Sequence, residues 1–331
     1  MMSPRLHFTT KRVAYKLRLK RALSCKSDFG TNMKYEEYLD DYNNKHKGIG
    51  YEPLKLDVLN DNHQMFSVSP ENALKHSLGV VGELKEIIEA QLLSIGSLAL
   101  YLTRNFNTNS NVIKSDFPAK DFQLGSSLID LANTADSAFK LALSGFSTQS
   151  RILIRSLIER KMQLIVIYHD PEDFEKWYKA TETDESKLAY YLVSSKKGRL
   201  LKQYKKIELE LLGMYENKKV DEFRVHDYEY QSMSVHGGSL PVNVGSWAFI
   251  GESVNPSLFG APCDSVLNVS RQIASHLSEF SRILEPLLVS VHEWTSGEKH
   301  ELVNNYMFYR HVSECEFKKY VDAYFEPVEK T

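Results

Sequence analysis

The run STQSRILIRSLIERKMQLIVIY, Ser147 to Tyr168, decides the fold class. Ile152, Leu153, Ile154, Leu157, Ile158, Met162, Leu164, Ile165, Val166 and Ile167 cover nearly every direction around a 3.6-residue period, and no Gly or Pro interrupts them. A helix that is apolar almost all round belongs at the centre of a bundle. Three of its charges share one face against that girth. Arg151, Arg155 and Glu159 fall at i, i+4 and i+8, one stripe on the helix. Ionised side chains in an apolar core are costly unless they are paired and hydrogen-bonded. The stripe therefore either pairs with itself and a further group, fixing helix register, or lines a cleft.

Working outward, Gly145 breaks the chain just before this helix, with Ser147 as its cap. A preceding helix is expected from about Gln123 to Ser144, with Leu124, Leu128, Leu131, Ala135, Ala138 and Ala142 inside. Asp170-Pro171-Glu172-Asp173 reads as the start of the next helix: a cap, a proline at the first position and acids behind it. Further upstream, Leu74, Leu78, Val81, Ile88, Leu92, Ile95, Ala99 and Leu102 predict one long helix. Ser69 is its expected N-cap and Pro70 lies in its first turn; the Asn-rich stretch from Asn105 to Asn111 ends it.

Downstream, charged and tyrosine-rich helices are expected to about Tyr215, then a short helix from Asp221 to His236 stopped by Gly237-Gly238. Residues 237–262 read as an ordered Gly/Pro/aromatic loop or small hairpin around Trp247-Ala248-Phe249-Ile250. A long helix follows with Val266, Ile273, Leu277, Phe280, Leu284, Leu287 and Val291 inside, bent at Pro286. Ser313 and Glu316 form a capping-box pattern for a last short helix bearing Phe317, Tyr320, Val321 and Tyr324. The expectation is an all-α protein: a basic N-terminal arm (1–30), an irregular segment (31–70), one large helical bundle domain (71–296) and a C-terminal helical tail (297–331).

Composition narrows the function classes. Hydrophobic residues at 42% and charged residues at 25% are ordinary for a globular chain and argue against extensive disorder. A net charge of −2 gives no global reason to expect nucleic-acid binding, although a local basic face is compatible with it. The first carboxylate is Asp28, and a run of Lys and Arg precedes it. That arm reads as a solvated extension, with translation from Met33, a presequence, or a nucleic-acid- or lipid-binding tail as alternatives. Cys25, Cys263 and Cys315 form no CxxC pair, which implies neither a disulfide framework nor a zinc site and fits a reducing cytoplasm. The longest apolar run, Leu92 to Leu102, is about half of the ~20 residues a membrane span needs, so no membrane association is expected. No phosphate-binding glycine loop, dinucleotide fingerprint, zinc-protease helix or nucleophile elbow occurs, and no cofactor or metal is expected.

A second constellation is Tyr228-Glu229-Tyr230-Gln231-Ser232-Met233-Ser234-Val235-His236-Gly237-Gly238. Ser232 and His236 lie one turn apart, and His236 falls at the expected helix C-terminus, where the macrodipole favours imidazolium. Such a histidine either moves a proton, holds a phosphate, or merely caps the last carbonyls. Arg271-Gln272-Ile273-Ala274-Ser275-His276 fits the arginine–histidine spacing of the HEPN ribonucleases, but a chain with this many Arg and His shows such a match by chance.

Arg155-Ser156-Leu157-Ile158-Glu159, followed by Ser232-Met233-Ser234-Val235-His236-Gly237, resembles a bacterial family of helical domains of unknown function. Its members carry Arg-x-x-x-Glu on a central helix and a later Ser-x-x-x-His-Gly. The resemblance covers about residues 75–295. That family is similar to HEPN proteins, often metal-free endoribonucleases of toxin–antitoxin and phage-defence systems. The resemblance implies RNA as substrate, with His236 as acid or base, Arg155 as phosphate clamp and Glu159 as the orienting group. The competing expectation is a non-enzymatic helical module whose surface docks a partner protein or a second copy, which the 18 tyrosines and the Trp247 loop would suit.

Overall fold

The computed structural model describes residues 35–47, 53–103, 119–180, 183–185, 199–213, 229, 231, 233, 247–250, 252–256, 260, 262–292 and 301–325. The protein is all-α. Among the described residues its helices are α1 (Tyr35–His46), α2 (Leu56–Val81), α3 (Leu84–Leu102), α4 (Ala119–Leu143), α5 (Ser147–His169), α6 (Pro171–Tyr178), α7 (Arg199–Leu212), α8 (Ser265–His292) and α9 (Glu301–Phe325). One antiparallel hairpin, β1 (Trp247–Ile250) and β2 (Ser253–Pro256), pairs Trp247 with Pro256 and Ile250 with Ser253. It lies where an ordered loop or hairpin is expected. The chain divides into residues 1–65 and 66–331; the division falls inside α2.

In the first unit, α1 and the start of α2 replace the irregular structure expected over 31–70. None of the described side chains of α1, over 39–45, is buried, so no apolar period announces it. Its support is local: Lys45 pairs with Asp41 one turn back at 2.6 Å. The Asn43 side chain donates to Leu54 O and accepts from Leu54 N, both at 2.9 Å, bracing the loop behind it.

The long helix expected to start at Ser69-Pro70 begins instead at Leu56 and runs through Pro70. It also stops early. Gly82 adopts φ +54°, a left-handed conformation that L side chains rarely take, and α3 starts two residues later. At the other end, Ser313 caps nothing. It lies inside α9, where its hydroxyl donates to Arg310 O at 2.8 Å. A mid-helix serine can satisfy itself on the preceding turn, so the Ser-x-x-Glu pattern is not a boundary here. Nor does α9 stand apart from the bundle. Val303 and Tyr306 of α9 are buried in the main core, and Tyr306 O accepts from Ser94 of α3 at 3.2 Å.

The centre of the second unit follows its sequence closely. After α4, Gly145 N bonds Ala142 O at 3.0 Å and Phe146 N bonds Leu141 O at 2.8 Å, a left-handed glycine cap that turns the chain straight into α5. Asp170 caps α6, its side chain accepting from Glu172 N. Helix α5 packs against α4, α6, α7 and α8, with Ile154, Leu157 and Ile165 at 0–1% exposure.

Side-chain pairs give the helix directions. Ser150 donates to Ala138 O, and Arg160 pairs with Asp130, so α4 and α5 are antiparallel. Ser147 meets Ser265 at 2.6 Å while Lys161 meets Glu279, so α5 and α8 run parallel. Lys161 lies over the Tyr204 ring and His169 beside Glu210, so α7 runs parallel to α5 as well. Gly260 permits the close start of α8. A Cβ there would lie 2.2 Å from Ser144 O, against the turn that opens α5.

Candidate functional site at the α5–α8 seam

Parallel helices cannot interlock by a short turn; the chain must travel back between them. Here the returning segments are 170–198 and 213–264, and the second carries the Ser232–His236 motif. Along the seam the polar side chains of α5 find partners from helices far away in sequence.

Arg155 and Glu159 pair, as the cost of an unpaired charge requires. Arg155 Nε and Nη2 donate to the same Glu159 oxygen, Oε1, at 2.9 and 2.8 Å. The two contacts fix the plane of the guanidinium relative to the helix axis. The side chains are 16% and 39% exposed. The pair therefore stands at a rim, with Glu159 towards solvent and Arg155 half-buried, its Nη1 shielded from solvent.

Arg151 goes deeper, at 6% exposure. Its Nη1 donates to Gln272 Oε1 of α8 at 3.3 Å. Gln231, fully buried, donates its Nε2 to the same oxygen at 3.1 Å. This link connects the segment before His236 to the arginine stripe across a glutamine on α8. Ser232 and His236 themselves lie outside the described residues, as do Tyr228, Tyr230 and Gly237. Of the short helix expected over 221–236, Glu229, Gln231 and Met233 are described, and these are helical.

The Arg271–His276 spacing does not bring its two ends together. Arg271 Nε donates to Tyr320 OH of α9 at 2.6 Å, its guanidinium 5.7 Å from that ring. His276 turns the other way, to α5.

There it joins a cluster that sequence reasoning missed. Lys161, at 3% exposure, donates to Glu279 Oε2 and lies 3.2 Å from His276 Nδ1. Tyr204 OH of α7 donates to Glu279 Oε1 at 3.2 Å. An ammonium has only protons to offer, so in this contact His276 Nδ1 is the acceptor. Three helices thus close around one buried ion pair. Its members are too far apart in sequence to form a motif, and Lys161 reads locally as one more polar residue after Glu159 and Arg160.

Among the described residues no three His, Cys, Asp or Glu side chains gather to hold a metal ion. No described helix is long and apolar enough to cross a membrane. No family model, curated protein or solved structure matches the chain.

Proposed function

We propose that the chain is a cytoplasmic, HEPN-like endoribonuclease of toxin or phage-defence type, working without a metal at the rim formed by Arg155, Glu159 and His236. One observation carries the reading. Gln231 and Arg151 share Gln272 Oε1, which ties the segment leading to His236 to the stripe that holds Arg155 one turn further on.

Metal-free RNA cleavage needs a base for the 2′-hydroxyl, an acid for the departing oxygen and a cation on the phosphorane. Arg155 supplies a charge that is never lost and a planar fork that suits phosphate oxygens. Glu159 orients that fork by its two contacts on one oxygen. His236 moves the proton, as base in one half of the reaction or acid in the other. The test is cleavage of a single-stranded RNA in the presence of EDTA. Persistence in EDTA and loss on His236→Ala, with an unchanged thermal transition, are expected. Growth arrest on overexpression should be relieved by the same substitution. A magnesium requirement, or a His236→Ala protein cutting at the wild-type rate, overturns the reading.

A second reading has its own observation. Leu93 and Leu100 of α3 and Met307 and Phe308 of α9 are exposed by 44–62%, on two helices that pack together. Exposed apolar surface of this kind favours a non-enzymatic module that docks a partner protein or a second copy. Absence of activity on any RNA, with self-association or capture of a partner abolished by Leu100→Asp or Phe308→Asp, would favour it.

A further inference from the structure

Helix α9 has two opposite faces. Val303, Tyr306, Arg310, Ser313, Phe317 and Tyr320 recur at steps of three and four and turn towards the bundle. Val303, Tyr306 and Ser313 are buried, Phe317 packs on the core, and Arg310 and Tyr320 reach Glu285 and Arg271 of α8. On the opposite side Glu301, Asn304, Phe308, His311, Cys315 and Lys318 repeat at the same steps, and all six are exposed. A stripe spaced in this way can meet a second helix along its whole length. In its middle stands Phe308, 62% exposed, with Met307 beside it at 44% and the exposed thiol of Cys315 two turns on.

The charges on this stripe say what can cover it. Glu301 and Lys318 stand at its two ends, and neither forms an ion pair among the described residues. A second α9 laid parallel and in register would set Glu301 on Glu301 and Lys318 on Lys318, and like charges facing each other oppose association. Laid antiparallel about the point between Tyr309 and Arg310, it sets Glu301 against Lys318 of the second copy at both ends. The same register puts Asn304 opposite Cys315 and Phe308 opposite His311, so the aromatic layers fall at the centre and the ion pairs outside them. Sliding the copies by one heptad in either direction takes Glu301 away from Lys318 and leaves Phe308 off the centre.

We propose that the exposed face of α9 is a self-association surface, on which a second copy of this chain packs its own α9 antiparallel in the register that pairs Glu301 with Lys318. Every contact then occurs twice about a two-fold axis, as a closed dimer requires. The stripe runs about 26 Å along the helix, and one helix pair buries less than a standard interface, so the dimer dissociates on dilution. The proposal names the occupant that the docking reading leaves open for α9, and it holds with or without RNA cleavage.

The test is the oligomeric state of the full chain, read by sedimentation equilibrium over a range of protein concentrations at low salt, where exposed charges are least screened. A reversible dimer is expected, and Phe308→Asp should weaken it by about tenfold or more. Glu301→Lys should weaken it as well, because it sets two cations against each other at both ends. Glu301→Lys combined with Lys318→Glu should restore it, since the swap keeps the pairing. The register has its own readout. Asn304→Cys places a thiol opposite Cys315 of the second copy, so mild oxidation should join the two chains by a disulfide, and Cys315→Ser in that background should remove the cross-link. A monomer at every concentration, a dimer indifferent to Phe308→Asp, or a charge swap that fails to restore association overturns the proposal. A cross-link between the two copies of Cys315 in the wild type overturns the antiparallel register. Each of these outcomes leaves the cleavage test in EDTA as it stands. A monomer that captures a partner protein through Leu100 keeps the docking reading and removes the α9 pairing.

Discussion

Two ion pairs stand within two turns of each other on α5, and they differ in nearly everything but charge. Arg155–Glu159 is made inside one helix, with Arg155 16% and Glu159 39% exposed. Lys161–Glu279 joins two helices, is 4% and 16% exposed, and is completed by His276 and Tyr204. The difference teaches where a helix can hide a charge: only where other helices converge and supply every partner. Where they do not, the charge stays partly exposed at the rim.

The largest consequence concerns stability. Removing one member of a buried pair leaves the other uncompensated, a cost of ~3–5 kcal/mol. Lys161→Met should therefore lower the unfolding free energy in urea by about that amount. Lys161→Met combined with Glu279→Leu should recover most of the loss, since an apolar replacement of both partners leaves no orphan charge. A loss below ~1 kcal/mol for the single variant would mean that the pair is no more sealed than its neighbour, and the contrast would collapse.

Glu159→Gln should do the reverse. A pair this exposed contributes at most ~1 kcal/mol, well short of the ~3 kcal/mol that a sealed pair would lose. The thermal transition should barely move, while RNA cleavage falls because the Arg155 fork loses its fixed plane. A large destabilisation with unchanged activity would reassign this pair to the core and leave α5 without a functional rim.

How legible these regions are in the sequence follows from where their partners come from. Helix α5, the glycine cap at Gly145, the Asp170 cap and the Arg155–Glu159 pairing all rest on residues within a turn or two of each other, so spacing alone reveals them. Helix α1 is hidden because none of its described side chains is buried. The true extent of α9 is hidden because Ser313 imitates a cap. The Lys161 cluster is hidden for a different reason: Tyr204 and Glu279 reach it from two other helices, and no periodicity records such a meeting. Gln231 and Gln272 are invisible likewise, since a glutamine signals nothing until its neighbour is known. Helix identity was readable at the centre; the tertiary polar contacts that distinguish a rim from a core were not.

The smallest effect at neutral pH tests the sealed side without an ion pair. Tyr306 on α9 is 1% exposed. Burial raises the phenol well above its ordinary value, and the nearby Glu314 carboxylate adds to the rise. Where Lys161 meets an opposite charge, an ionised Tyr306 would face one of its own sign. The folded state therefore holds the proton more tightly than the unfolded chain, whose tyrosine titrates near ~10. The stability tied to this proton is fully present below pH ~10, and is lost as pH rises from there towards the folded value. The slope reaches up to ~1.4 kcal/mol per pH unit for one such group. Tyr306→Phe keeps the ring and removes the titration. At neutral pH it should cost about 1 kcal/mol or less, the net value of one hydroxyl contact. Above pH ~10 its stability should fall less steeply than that of the wild type, by the share of one tyrosine. Urea unfolding of both proteins at neutral pH and again above pH ~10 separates the two contributions. Parallel alkaline declines would show that Tyr306 ionises without penalty, and that this part of the bundle is no better sealed than the Arg155 rim.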